Sequence, residues 1–374
     1  MMRMAGLMRR WSPLAAACLV GVWLAGCGAA PELAEEAPDA PPAPSAAADG
    51  SWTVGPRMVP PPAMASDALR SSIASAPVPD PAATARAAPT TIEGWEAFLA
   101  QGEAQAAGAL ALAESLGVEV ERDVIAGVTV RHVRPAEVAP EHAQHLFVHV
   151  HGGAYVLGGG DGTVSEAAAI AAAVGIPVVS VDYRMPPADP FPAAVDDTVA
   201  VFEALLAEHP AGTLALGGTS AGGALALSTA LKLAETGRDL PGAIFAGTPW
   251  SDLTQTGDTQ FTNEGIDRVL VGYQGLLSES AKLYAGDHDL TEPLLSPIYG
   301  DFEGLPPTLL VTGTRDLFLS DTVRTHRKLR RAGVTAELHV FEGMSHAGYL
   351  VVPDSPEAQE AWGELGRFLA EHLD

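Results

Sequence analysis

The sequence contains few cysteines. Its 374 residues include only two cysteines, Cys18 and Cys27, and both lie near the N-terminus. The remainder of the chain therefore has no cysteine for a disulfide or for a thiolate nucleophile. Its stability must come from a hydrophobic core, and 47% of the residues are hydrophobic. A chain of this length can bury a core of that kind in one large domain.

Basic residues are also scarce. The chain has 21 lysines and arginines against 46 aspartates and glutamates, which gives a formal net charge of −25. Because binding to phosphate backbones needs a positive surface, nucleic acid is not an expected partner. The sequence also has no glycine-rich phosphate-binding motif and no cysteine-based metal motif, so it predicts neither a cofactor nor a metal.

The first 26 residues have the features of an export signal. Three arginines precede an apolar stretch at 11–25, which is shorter than the roughly 20 residues a membrane-spanning helix needs. The stretch ends in LAGC at 24–27, which resembles a bacterial lipobox. That resemblance implies export, cleavage before Cys27, and lipid anchoring to a bacterial membrane on its periplasmic or cell-surface side. A plain secretory signal and an uncleaved anchor are the alternatives.

Residues 27–89 are rich in alanine and proline and contain few large apolar side chains. Repeated prolines interrupt helices, and little apolar surface is available to offset the entropy lost on ordering. The composition predicts a disordered tether at 27–89 and a folded domain at 90–374.

In the folded part, short apolar runs alternate with longer stretches of helical periodicity. This alternation predicts an α/β fold with a mostly parallel sheet that helices cover on both faces. Ligands bind such sheets at the carboxyl ends of the strands. The predicted strands are an edge strand or hairpin at 118–133 and runs at 146–150, 177–181, 214–216, 243–246, 308–311 and 336–341. The predicted helices are 95–116, 164–174, 195–208, 221–236, 320–332 and 356–372.

The sequence GTSAG at 218–222 lies between a predicted strand and a predicted helix. This is the context of a nucleophile elbow, a sharp turn that exposes a reactive serine hydroxyl. We therefore predict Ser220 as a nucleophile and the N–H of Ala221 as a donor to a developing oxyanion. An ordinary glycine-rich turn is the alternative.

A general base and an acid are predicted after two later strands. His346 follows the last predicted strand, and a neutral imidazole is the usual base for a serine hydroxyl. Asp316 follows the run at 308–311 and can orient that imidazole. Asp321 is the rival acid, but it begins a helix, where capping is the simpler interpretation. The order Ser220, Asp316, His346 is that of the α/β-hydrolases.

The sequence HGGA at 151–154 follows the strand at 146–150. Small residues let backbone N–H groups approach a reacting oxygen, so Gly152, Gly153 and Ala154 are predicted to form an oxyanion hole with Ala221, in which two N–H groups of this loop join that of Ala221. An ordinary turn is the alternative for HGG alone. The histidines at 145, 149 and 151 alternate along this strand, which suggests a zinc site. No carboxylate or cysteine nearby in the sequence completes its ligands, so a metal is not predicted.

Together these motifs resemble the hormone-sensitive-lipase-like bacterial esterases, in the subgroup with a GTSAG motif. The resemblance covers roughly residues 90–374. It implies an α/β-hydrolase fold with a mostly parallel eight-stranded sheet and a helical cap from about 90–125 and 251–295. Many members have glycine where this chain has Ala154. The matching motifs are HGG at 151–153, YR at 183–184, PFPAAVDD at 190–197, GTSAGG at 218–223, WSDLT at 250–254 and GMSH at 343–346.

The resemblance implies hydrolysis of small-molecule esters with short to medium acyl chains, through an acyl-enzyme intermediate and without a cofactor. A peptidase or an acyltransferase on the same fold is an alternative, because fold does not determine substrate. A non-catalytic binding lipoprotein is another alternative. The oligomeric state stays open, with a dimer as one option.

Overall fold

The computed structural model describes residues 45–55, 57–106 and 108–374. The predicted signal sequence at 1–26, the predicted lipidation site Cys27 and the first part of the predicted tether lie outside the described residues. Within the described ranges, no helix is both long enough and apolar enough to cross a membrane.

Eight strands form one sheet, in the order β10-β9-β8-β7-β5-β6-β4-β3. Strands β5 to β10 pair in parallel, whereas β4 pairs antiparallel with both β3 and β6 at one edge. The prediction of a mostly parallel eight-stranded sheet is therefore confirmed. The strands are β3 (Glu119–Ile125), β4 (Val128–Arg134), β5 (Leu146–Val150), β6 (Val178–Val181), β7 (Leu214–Thr219), β8 (Ala243–Gly247), β9 (Thr308–Gly313) and β10 (Ala336–Phe341), after a separate antiparallel pair β1 (Ser45–Ala46) and β2 (Trp52–Thr53).

Helices cover both faces of this sheet. Alternate residues of a strand enter different hydrophobic clusters: Val148 joins one cluster and Phe147 the other. This alternation follows from the two-residue period of a strand and places a core on each face. The helices are α1 (Asp67–Ser75), α2 (Pro81–Ala87), α3 (Ile92–Ala106), α4 (Ala109–Leu116), α5 (Val164–Val174), α6 (Ala193–Leu205), α7 (Ala221–Glu235), α8 (Thr259–Thr262), α9 (Leu276–Ala285), α10 (Leu319–Arg331), α11 (Gly348–Val351) and α12 (Pro356–His372).

The helical cap comes from two parts of the chain, α3 and the segment that contains α8 and α9, which both line the cavity at Ser220. Helix α4 packs instead on α5, with which its buried residues share a core cluster. The predicted cap boundary at about 125 is wrong, because residues 119–125 form strand β3 of the sheet. The physical reason is hydrogen bonding, since β3 pairs along its whole length with β4 and so belongs to the sheet edge.

The predicted disordered tether is wrong for residues 65–87, which contain helices α1 and α2. Ala65, Leu69 and Ile73 are buried, and Val352 packs against them. Leu69 and Ile73 are four residues apart and therefore share one helix face. Prolines do not prevent these helices, because Pro81 occupies the first turn of α2, where its missing N–H is not needed. We call residues 57–89 the N-terminal arm.

Candidate active site

The chain turns sharply between β7 and α7 at Ser220. The backbone of Ser220 has φ 64° and ψ −122°, which side chains rarely adopt. Two backbone hydrogen bonds hold the turn: Ser220 N–H donates to Gly247 O at 2.8 Å, and Trp250 N–H donates to Ser220 O at 3.1 Å. The predicted elbow at Ser220 is therefore present.

The glycines on both sides of Ser220 are required by close backbone contact. A Cβ atom at Gly218 would lie 1.9 Å from the carbonyl oxygen of Val150, and one at Gly222 would lie 2.0 Å from the same oxygen. Both separations are far shorter than any real contact between a Cβ atom and an oxygen, so the elbow packs directly against the end of β5. This contact places Ser220 beside the loop that follows β5.

His346 and Asp316 are paired, as predicted. Nδ1 of His346 lies 3.1 Å from Oδ1 of Asp316, and both side chains are buried. The carboxylate of Asp316 also accepts hydrogen bonds from the N–H of Phe318 and from Oγ1 of Thr312, each at 2.8 Å. These bonds fix the carboxylate so that it accepts the Nδ1 proton, which leaves Nε2 of His346 free to act as a base.

A cavity of about 210 Å³ contains Ser220, His346 and the loop after β5. Among the hydrogen bonds of the described residues, none joins Ser220 to His346. In enzymes without bound substrate, the bond between nucleophile and base is often long, and it shortens when substrate binds. Apolar side chains from both parts of the cap complete the cavity. Its cap-side and rim residues include Gly102, Ala106, Leu157, Val269, Leu270, Leu277, Leu350 and Val351.

The four predicted oxyanion donors lie beside Ser220. Gly152, Gly153 and Ala154 line the cavity with Ser220, and Ala221 begins helix α7. Within the described part of the chain, none of these four N–H groups donates to a protein acceptor. Ala154 has a left-handed backbone with φ 55°, a conformation that costs a non-glycine residue roughly 1 kcal/mol. The site therefore keeps free donors beside the serine.

Three residues near the acid and base were not predicted from the sequence. Oγ1 of Thr248 lies 3.1 Å from Nδ1 of His346, and the side-chain amide of Asn263 donates to the carbonyl oxygen of Asp316 at 2.8 Å. Asp267 accepts from the backbone N–H of His346 at 3.3 Å. Local sequence patterns carry no signal for these contacts, because each joins segments at least 50 residues apart.

A buried polar cluster lies beneath the elbow and was also not predicted. The hydroxyl of Thr219 donates to Glu166 and lies 2.7 Å from the hydroxyl of Tyr349. Nε2 of His149 lies 3.2 Å from Glu166. Because Glu166 also lines the cavity, this cluster connects the residue before the nucleophile to the cavity wall.

The rival acid Asp321 lies apart from the imidazole. It is buried in the first turn of α10, 4.0 Å from Arg324, and burial raises its pKa well above the usual value, helped by the charge of Asp252. The capping interpretation is wrong, because the N-cap of α10 is Phe318 and no side chain caps it. Asp316 is thus the acid that reaches His346.

The three alternating histidines make separate contacts. His149 bonds to Oγ of Ser180 at 2.8 Å, whereas the ring of His151 stacks on Tyr183 with centroids 4.0 Å apart. His145 bonds to His142 through Nδ1 at 3.0 Å. Each of the three histidine side chains therefore has its own contact partner.

Comparison with known proteins agrees with this geometry. A family model described as alpha/beta hydrolase fold matches residues 147–350. An acetyl-hydrolase of Streptomyces hygroscopicus is 33% identical over 65% of this chain and 81% of its own. The crystal structure of an esterase, E25, is 48% identical and has a TM-score of 0.85 over 87% of this chain and 99% of its own. An esterase from the bacterial hormone-sensitive lipase family is 30% identical, with a TM-score of 0.70 over 83% and 99%.

Proposed function

Because the chain belongs to the alpha/beta hydrolase fold family, among the hormone-sensitive-lipase-like esterases, we propose that Ser220, His346 and Asp316 are its catalytic triad. The chain is a carboxylic ester hydrolase of the serine type. One observation carries the assignment of residues: the strained Ser220 opens into the same cavity as a buried imidazole that Asp316 holds through Nδ1.

Acylation begins when Nε2 of His346 removes the hydroxyl proton of Ser220 and Oγ attacks the ester carbonyl. The N–H groups of Gly153, Ala154 and Ala221, with Gly152 beside them, stabilise the oxyanion. The alcohol leaves with the proton from His346 as the C–O bond breaks. In deacylation His346 takes a proton from water, the hydroxide attacks the acyl carbonyl, and the carboxylic acid leaves while Oγ is reprotonated.

The proposed substrates carry short to medium acyl chains. The cavity of about 210 Å³ is smaller than the ~300–1,000 Å³ typical of drug-sized ligand pockets. Its cap-side wall is formed partly by Gly102 and Ala106 on α3, and a Cβ at Gly102 would lie 2.6 Å from Leu157. The limited space supports small acyl groups.

The test compares p-nitrophenyl butyrate with p-nitrophenyl palmitate, using the whole chain. We expect turnover of butyrate, much slower turnover of palmitate, and loss of turnover in Ser220→Ala. Ser165→Ala is the matched control, because Ser165 lines the same cavity without belonging to the triad. Faster cleavage of an aminoacyl p-nitroanilide, or acyl transfer to added alcohol that exceeds hydrolysis, would instead favour a peptidase or an acyltransferase.

We further propose that the protein is exported and anchored to a bacterial membrane by lipid on Cys27, with the domain on the periplasmic or cell-surface side. The signal pattern at 1–27 supports this proposal. Expression with a radiolabelled fatty acid tests it: the label should enter the wild-type protein and be absent from Cys27→Ala. A labelled Cys27→Ala protein would contradict it.

A further inference from the structure

We propose that Asp267 is a second positioning carboxylate of the active site, which clamps the loops of the acid and the base and supplies a negative charge beside the imidazolium of His346. The inference rests on the proposed function, because it assigns a role toward the proposed base. Asp267 lies in the cap segment, outside every motif that the sequence carries.

The contacts of Asp267 join three separate segments. Its Oδ2 accepts from the backbone N–H of Leu317 at 2.8 Å, next to Asp316, and from that of His346 at 3.3 Å. Its Oδ1 accepts from the N–H groups of Val269 at 2.8 Å and Leu270 at 3.2 Å, which line the cavity. One fully buried side chain therefore connects the acid loop, the base loop and the cap wall.

In the part of the chain that the structure describes, no arginine or lysine forms an ion pair with Asp267, and burying an unpaired carboxylate is costly, so a structural role alone is a poor explanation. Burial first, and then the charge of Asp316, raise the pKa of Asp267 to about 6, against the lowering effect of the charge of His346 and of the backbone N–H bonds. The nearby arginines are engaged elsewhere: Arg268 donates to the carbonyl oxygen of Ala76 at 2.8 Å, and Arg315 donates to that of Pro60 at 2.5 Å.

The charge of Asp267 matters most when His346 holds the proton of Ser220. Asp316 contacts the ring of His346 and Asp267 contacts its backbone N–H, so both negative charges lie near an imidazolium and stabilise it, whereas neutral imidazole gains little. The ionised form of Asp267 also accepts four N–H bonds, and a proton on one oxygen removes part of that capacity. Activity should therefore require Asp267 to be ionised as well as His346 to be neutral.

The wild-type enzyme offers a test that needs no variant. The acid limb of log kcat/KM for p-nitrophenyl butyrate should be steeper than a slope of one, because two groups must lose protons. In Asp267→Asn the slope should return to one, because only one group must then lose a proton. A wild-type slope of one would overturn the proposal.

The variant should also separate kcat from KM. We expect Asp267→Asn to lower kcat about 10- to 100-fold, the order of loss that a small misplacement of reacting groups causes, with KM changed only slightly. Asp321→Asn is the matched control, as another fully buried aspartate that does not contact His346. If Asp267→Asn lowers the melting temperature but leaves kcat and the acid limb as in the wild type, the residue is only structural and the proposal is wrong.

Failure of this inference is distinguishable from failure of the proposed function. If Ser220→Ala and His346→Ala lose activity while Asp267→Asn keeps the wild-type profile, the triad stands and the role of Asp267 falls. If Ser220→Ala keeps activity, the triad assignment itself falls.

Discussion

The two sides of the active site are positioned by different means. The nucleophile side depends on close backbone contacts: the turn at Ser220 bonds to the backbone of Gly247 and Trp250, and the glycines at 218 and 222 pack against β5. The acid and base side depends on side chains distant in sequence, since Thr248, Asn263 and Asp267 hold Asp316 and His346. The serine is thus held by backbone contacts, whereas the imidazole is held largely by side chains.

This difference predicts how activity responds to substitution. The turn at Ser220 tolerates almost no change at its glycines, because a single methyl group there collides with backbone. A network of side chains distributes the positioning over several residues, so most single changes should reduce activity gradually.

The hydrogen bond between Asp316 and His346 should be the exception on the acid and base side, because its loss alone should reduce activity steeply. Asp316→Asn removes the acceptor for the Nδ1 proton and favours the wrong tautomer of His346, so kcat should fall about 10⁴-fold. Asp321→Asn should leave kcat within a few-fold of the wild type. Equal losses in both variants, measured with p-nitrophenyl butyrate, would mean that Asp316 is not the orienting acid.

The elbow should fail sharply when its backbone contact is blocked. Gly218→Ala places a Cβ 1.9 Å from Val150 O, so we expect a loss of roughly 4 kcal/mol or more in the free energy of unfolding. Gly363→Ala makes the same chemical change in the open middle of α12 and should stabilise by up to about 1 kcal/mol. Denaturant titration measures the free energy of unfolding of both variants. A Gly218→Ala enzyme that is folded and active would contradict the prediction.

The buried carboxylate of Asp267 should make the free energy of unfolding depend on pH. Its raised pKa means that native Asp267 keeps a proton that the unfolded chain has lost, so its contribution to stability falls as pH rises from 3.8 through about 6. The loss is on the order of 3 kcal/mol. Asp267→Asn should lack this fall. A constant difference in unfolding free energy between the two proteins from pH 4 to 7 would contradict the prediction.

The N-terminal arm should show the smallest effect. The backbone N–H and the hydroxyl of Ser66 each donate to the carboxylate of Glu357 at 2.7 Å. Glu357→Gln should cost about 1 kcal/mol of unfolding free energy because it weakens a charge-assisted pair, and kcat/KM should not change. Glu360→Gln, on the exposed side of the same helix, is the control. An undocked arm would give identical melting temperatures for both variants.

The same contrast explains what could be predicted from the sequence. Strands β5 and β10 and helices α5 and α12 were predicted to the residue, because their hydrophobic periodicity is local. Ser220, Asp316 and His346 were identifiable because each follows a strand in a recognisable order. Asp267 and Asn263 lie in irregular cap sequence, where neither periodicity nor a motif distinguishes them.

For the N-terminal arm, the prediction from composition is wrong. Its composition predicts disorder, yet Leu69 and Ile73 bury a small apolar stripe against the domain, and Asp80 caps α2. Composition is an average over the whole segment 27–89 and hides two short helices, of which α1 buries one apolar face. The boundary between tether and domain therefore depended on tertiary contacts, such as that of Ser66 with Glu357, that composition does not reveal.

The most direct test of Ser220 as the nucleophile is to trap the acyl-enzyme. The wild-type protein is mixed with p-nitrophenyl butyrate, quenched in acid within the first turnover, digested, and mapped by mass spectrometry. We expect one butyryl group on the peptide that contains Ser220 and none in Ser220→Ala. A butyryl group on another residue, or turnover by Ser220→Ala at the wild-type rate, would contradict it.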